Sequence, residues 1–164
     1  MPIEIIQNYI VQYGLWMLAL LVAIEYLGIP GYPGGVTLPV IGIMSRLGLL
    51  KPQVGIMIAM AASSVSISAV YIVGFKFSSW STAKLAGNEK FSKAYAYMRE
   101  LTDKYGAVSI FAMRLVPMVR TFASMGAGIL GMNWRSYLIY SVAGNFVYTL
   151  GAVGLGYFAT SLFV

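Results

Sequence analysis

Arg114 and Arg120 stand six residues apart on either side of Pro117 in FAMRLVPMVRTF, residues 111–122, one of the most apolar parts of the chain. A guanidinium group stays protonated when desolvated and can hold a phosphate through two parallel hydrogen bonds, so the chemistry this pair suggests is anion binding, with phosphate the favoured anion. Glu25 is a third ionisable residue in apolar surroundings, and it opens the turn-rich EYLGIPGYPGG at 25–35. It is a partner for an arginine when no anion is bound. Half-helices beginning after Pro33 and Pro117 would turn their positive ends toward the same place. One glutamate against two arginines leaves a net positive charge, which an anion would balance. The competing reading is an ion-pair network that holds two broken helices together. Buried pairs are weak stability devices, whereas ionisable groups inside a membrane mark function by default.

That the surroundings are a membrane follows from composition. The chain is 59% hydrophobic and 10% charged, with a mean hydropathy of +0.78, whereas soluble domains are roughly half apolar and a quarter charged. The opening MPIEIIQNYIVQYG has no basic n-region and no small-residue cleavage site, so the first apolar segment is expected to stay. With neither cysteine nor histidine, the chain can build no disulfide, no thiolate or imidazole zinc site and no imidazole base. Nothing in it resembles a nucleophile beside a base, which argues against an enzyme. The net charge of +6 suits anionic lipid headgroups rather than nucleic acid. The expectation is a multi-pass protein of the cell membrane with membrane lipids as partners, no cofactor and no metal. Homo-oligomerisation is left open.

Two apolar stretches, 53–75 and 136–164, supply the roughly 20 residues that cross a ~30 Å hydrocarbon core. The others are short or broken by Pro, Gly and charge, and broken helices persist in lipid only where protein or a cavity covers their backbone. The two halves of the chain also run in parallel. Tyr13-Gly14 opens an apolar run to Glu25, a proline turn, a second run, Arg46 and the span from Gln53; Tyr105-Gly106 opens a run to Arg114, then Pro117, a second run, Arg135 and the span from Ser136. Both series follow mixed segments, IEIIQNYIVQ and FSKAYAYMRELTDK, read as interfacial amphipathic helices. Gly14 to Glu25 is eleven residues, about 16 Å of helix, half the hydrocarbon thickness. The predicted fold is therefore an all-α integral membrane protein, an inverted repeat of a re-entrant helical hairpin plus a transmembrane helix. It is a single membrane domain, 1–164, with repeats of about 1–75 and 76–164. Pro30, Pro33 and Gly34 shape the first hairpin turn, Pro117 and Thr121 the second, and the tips bring Glu25, Arg114 and Arg120 together near the bilayer centre. A charge there costs roughly 2.5 to 3.5 kcal/mol. Seven basic residues from Lys76 to Lys104 and at Arg135, against Arg46 and Lys51, place the central segment in the cytoplasm. Ser63, Ser64, Ser66 and Ser68 read as close helix packing, Gly126, Gly128 and Gly131 as close backbone approach, and Asn145 as a bridge between helices.

With these residues in view, the chain resembles the DedA family, also called the SNARE-associated or VTT-domain family, over nearly its whole length. The most specific part is FAMRLVPMVRTFASMGAGILGMNWRSY, 111–137, which is similar to the family signature R-x-x-P-x-x-R-[TA] and the small-residue stretch after it. Glu25 through Pro30 and Pro33 resembles the acidic motif of the first hairpin, and Tyr71 to Gly74 the Y-x-x-G element. One departure stands out: the second acidic residue that many members carry after the Pro-Gly of the first hairpin has no counterpart in Pro33-Gly34-Gly35. Glu25 is then the carboxylate left for coupling to protons or sodium, which favours passive or weakly coupled movement. The resemblance implies lipid translocation, either return of undecaprenyl phosphate or flipping of phospholipids such as phosphatidylethanolamine. Joined to the anion site read from the residues, it favours a polyprenyl-phosphate carrier, with Arg114 and Arg120 on the phosphate. A phospholipid flippase or scramblase, and a scaffold without transport, are the alternatives.

Overall fold

The computed structural model describes residues 2–28, 35–78, 89–116 and 119–161, the side chains of 2–12, 90, 91, 94, 121 and 161 excepted. The described residues are helical or lie in the turns between helices: α1 Pro2–Leu27, α2 Thr37–Arg46, α3 Pro52–Lys76, α4 Glu89–Tyr105, α5 Val108–Leu115, α6 Val119–Ile129 and α7 Trp134–Ser161. The hairpin-turn residues Pro30, Pro33, Gly34 and Pro117 lie outside the described residues, as does the side chain of Thr121.

Among the described residues, two helices are long and apolar enough to cross a membrane, Pro52–Lys76 and Trp134–Thr160, at the stretches where hydropathy predicts them. α3 starts on Pro52, whose fixed φ and missing N–H suit a first helical position, and keeps its one charge, Lys76, for the last turn. α7 starts on an asparagine cap: Asn133 Oδ1 accepts from the backbone N–H groups of Arg135 (3.0 Å) and Ser136 (3.4 Å), two donors that the first turn of a helix otherwise leaves open.

The paired Tyr-Gly dipeptides behave differently. The sequence predicts an interfacial helix ending near each. At the second, Gly106 adopts φ +59° and ends α4, and Ser109 starts α5 by turning its hydroxyl back on the Gly106 carbonyl (2.7 Å). At the first the third residue after the glycine is Met17 rather than a serine, and α1 runs through Gly14 as one helix of 26 residues. It is about 39 Å long, so the predicted interfacial segment and hairpin arm are merged.

The chain forms two compact units, Met1–Ser66 with Tyr148–Val164, and Ile67–Val147; α3 and α7 contribute to both. In the first unit α1 packs on α2 around Leu18, Val22, Tyr26, Leu38 and Ile41, all buried. There α2 also meets the end of α7 backbone to backbone. A Cβ on Gly42 would fall 2.0 Å from the Val153 carbonyl oxygen, and one on Gly156 2.0 Å from that of Pro39, a small-residue crossing of the kind that holds helices together in lipid. In the second unit α5 packs on α4 and α6, around Tyr71, Ile110, Met113, Ala123, Ala127 and Tyr137. Met98 and Leu101 of the amphipathic α4 lie against this core, while its ion pairs, Lys93–Glu89 at 2.6 Å and Arg99–Asp103 at 3.8 Å, face out. Here too a glycine crossing joins two helices, α6 and α3. A Cβ on Gly128 of α6 would sit 2.3 Å from the Tyr71 carbonyl oxygen, and one on Gly74 of α3 2.5 Å from that of Met125. Gly74 and Gly156 each stand 22 residues past the first residue of their helices. Gly126 meets the Met98 side chain, whereas Gly131 has open space and φ +65°, so it serves the turn into α7 rather than close approach.

Candidate functional site

The second unit carries the arginines. α5 stops at Val116, whose backbone is extended (φ −96°, ψ 116°), and α6 starts when the N–H groups of Val119 and Arg120 donate to the Val116 carbonyl (3.1 and 3.0 Å). Arg114 thus sits in the last turn of one arm and Arg120 in the first turn of the next, and both are 1% exposed. The structure brings the pair together. Arg114 Nη1 donates to the Arg120 carbonyl at 2.9 Å, and Nη2 donates to Ser124 Oγ (2.6 Å), Tyr137 Oη (3.0 Å) and Ser141 Oγ (3.4 Å).

Three of those acceptors are residues that the sequence reading did not single out. Ser124, Tyr137 and Ser141 are fully buried. Tyr137 Oη passes its own proton to the Ile67 carbonyl at 3.0 Å, and its ring stacks on Tyr71 with centroids 4.5 Å apart. Tyr71 in turn donates to the Met132 carbonyl. α7 comes close enough for this because it presents Gly144 to Arg114, where a Cβ would meet that of the arginine at 2.8 Å. The signal was present as spacing: Tyr137, Ser141, Asn145 and Thr149 recur every fourth residue of an apolar helix, one buried polar stripe.

The second unit's carboxylates, Glu89, Glu100 and Asp103, are all exposed on α4, so the interior charge of this unit is positive. Between α4 and the α5–α6 turn lies an apolar groove of about 390 Å³, lined by Tyr97, Leu101, Tyr105, Met113, Val116 and Val119 among others.

Glu25 belongs to the first unit and is 2% exposed. Its Oε1 accepts from the Gly35 N–H at 2.9 Å and its Oε2 from the Thr37 N–H at 3.3 Å. Val36, at the cap position of α2, makes no side-chain cap bond, so the carboxylate of α1 caps α2 and favours the positive end of that helix. Asn145 is 1% exposed. Among the serines of α3, Ser63 and Ser66 are buried and Ser63 Oγ bonds back to the Met60 carbonyl at 3.1 Å.

Comparison with known proteins adds names to this geometry. The chain is 29% identical over 160 residues to "Protein DedA" of Escherichia coli K12, covering 91% of this chain and 71% of that one. It is 23% identical over 167 residues to "Undecaprenyl phosphate transporter A" of Staphylococcus aureus, covering 93% and 77%. It is 29% identical over 163 residues to an "Alkaline phosphatase-like protein" of Lactococcus lactis subsp. cremoris, covering 93% and 74%. No solved structure matches the chain significantly. The VTT domain matches residues 29–158, the stretch that holds α3, nearly all of α7 and both buried arginines, and this chain therefore belongs to the VTT-domain family of membrane proteins, the DedA family.

Proposed function

We propose that the protein is a multi-pass lipid translocase of the cell membrane that carries the headgroup of a polyprenyl phosphate across the bilayer while the tail stays in hydrocarbon. The observation that carries this reading is the buried arginine pair at the second hairpin: two guanidinium groups in an apolar interior suit a doubly acceptor-rich phosphate better than any neutral headgroup. The apolar groove beside the same turn suits a hydrocarbon chain, and one relative is named for undecaprenyl phosphate transport. Matching glycine crossings in the two units support an inverted repeat of re-entrant hairpins, with alternating access by rocking of one repeat against the other. Hydrolysis is not the reading, because a chain without histidine or cysteine gives the serines near Arg114 no imidazole base.

Reconstitution in vesicles containing labelled polyprenyl phosphate tests the reading. Arg114→Lys and Arg120→Lys, checked for insertion and folding, abolish transport; wild-type rates in both variants would remove it. A second reading is an uncoupled phospholipid scramblase, in which Glu25, both of whose oxygens accept from backbone N–H groups, serves as a structural tie between α1 and α2. Equal rates for phosphatidylethanolamine and polyprenyl phosphate would select it. A membrane scaffold would keep its activity when Glu25, Arg114 and Arg120 are all replaced by apolar residues.

A further inference from the structure

We propose that the second unit carries a separate lipid site on α4, which holds the headgroup of a zwitterionic phospholipid bearing a primary ammonium. The site is a cavity of about 140 Å³ between α4 and the end of α6, lined by Tyr95, Arg99, Thr102, Asp103 and Leu130. Its lining is mainly polar, whereas the groove beside Tyr97, Leu101 and Tyr105 of the same helix is apolar.

One of the lining atoms has an unmade hydrogen bond. A serine or threonine inside a helix commonly turns its hydroxyl back on a carbonyl of the preceding turn, as Ser45 does to Ile41 and Thr160 to Gly156, both at 2.8 Å. Thr102 Oγ1 is covered yet has no partner among the described residues. Such a hydroxyl can both donate and accept, and leaving it unpaired is unfavourable.

The charges beside it select the ligand. Arg99 and Asp103, one turn apart on α4, bring one charge of each sign, so the lining as a whole is neutral and suits neither a bare anion nor a bare cation. It suits a molecule with both charges a few atoms apart, a phosphate for the guanidinium and an ammonium for the carboxylate. Their own contact is loose: Nε and Oδ2 are 3.8 Å apart, and the side chains are 63% and 72% exposed. A surface pair of this kind contributes little, so a ligand separates it at little cost. The end of α6 favours the ammonium too. The N–H groups of Leu130, Gly131 and Met132 close its last turn on the carbonyls of Gly126, Gly128 and Ala127 at 2.9, 3.0 and 3.1 Å, which puts the negative end of the helix dipole at Leu130. A primary ammonium donates hydrogen bonds to a carboxylate. A quaternary one has no N–H and is recognised by an aromatic cage, and Tyr95 is the one ring in this lining.

The depth of the cavity is that of headgroups. Leu130 stands four residues before Trp134, the first residue of a transmembrane-length helix, and tryptophan is enriched at the membrane–water interface. The amphipathic α4 sets Met98 and Leu101 against the core, as a helix lying in that interface does. Arg120 is ten residues back along the chain from Leu130, about 15 Å of helix, so this site is distinct from the one proposed for a polyprenyl phosphate and does not rest on that reading.

The test uses the full chain in detergent, with short-chain phosphatidylethanolamine as probe and the Tm as readout, its dependence on lipid concentration giving Kd. Phosphatidylethanolamine is expected to raise the Tm by about 4 °C or more near saturation. Phosphatidylcholine and phosphatidylglycerol of the same chains raise it much less, and free O-phosphoethanolamine leaves it unchanged. Arg99→Gln combined with Asp103→Asn raises Kd at least about tenfold with little change in the lipid-free Tm, because both side chains are exposed. Thr102→Val raises Kd several-fold without lowering the lipid-free Tm, since the hydroxyl it removes makes no bond in the lipid-free chain. An undiminished response to phosphatidylethanolamine in the double variant, equal responses of the wild type to the three lipids, or a lowered lipid-free Tm in Thr102→Val would overturn the site. A response to free O-phosphoethanolamine equal to that for the lipid would overturn its assignment to a membrane lipid.

Discussion

Glu25 and Arg114 are both buried, and each holds backbone or neutral groups of its own unit. For Glu25 this yields a direct prediction. Its two oxygens accept from the N–H groups of Gly35 and Thr37, and glutamine offers one oxygen and one amide donor, so Glu25→Gln leaves a buried N–H facing another donor. The expected cost is about 1 to 3 kcal/mol, read as a lowered Tm in detergent; an unchanged Tm contradicts the capping role. The charges themselves were legible in the sequence, because an ionised group in an apolar run is conspicuous by its cost. The neutral partners were not: Ser124, Tyr137 and Ser141 look like ordinary polar residues until the fold turns them to one guanidinium.

At the scale of helices, glycines divide into those that need no side chain and those that merely lack one. Gly14 lies inside α1 with nothing within 4 Å of its Cβ position, so Gly14→Ala is expected to stabilise the protein by roughly 0.5 to 1 kcal/mol. Gly42→Ala puts a methyl 2.0 Å from a backbone oxygen of α7 and is expected to cost about 1 to 3 kcal/mol. Thermal unfolding of the two variants checks the pair, and loss of stability in both or in neither would contradict the crossing. Both transmembrane-length helices were readable from hydropathy alone, as were a helix end after Leu115 and a new start by Val119. The fate of the two Tyr-Gly pairs was not, because glycine tolerates both a helix and a left-handed turn, and the serine that decides between them at Gly106 acts from three residues away.

For the whole molecule, the family resemblance fell on the same stretch, 111–137, that the charges marked. The composition of each unit is less simple than a split of the chain into halves: each takes one end of α3 and one end of α7, an exchange that no hydropathy trace reveals because it concerns packing between distant segments. The proposed function joins these scales through a phosphate drawn into an apolar interior by guanidinium charge. The most direct test compares equilibrium binding of a polyprenyl monophosphate with that of the uncharged polyprenol of equal chain length. A phosphate gripped by the buried arginine pair is expected to bind about 100-fold tighter, some 2.7 kcal/mol, with the difference gone when Arg114→Gln and Arg120→Gln are combined. Equal affinity of the wild type for both lipids would contradict the account.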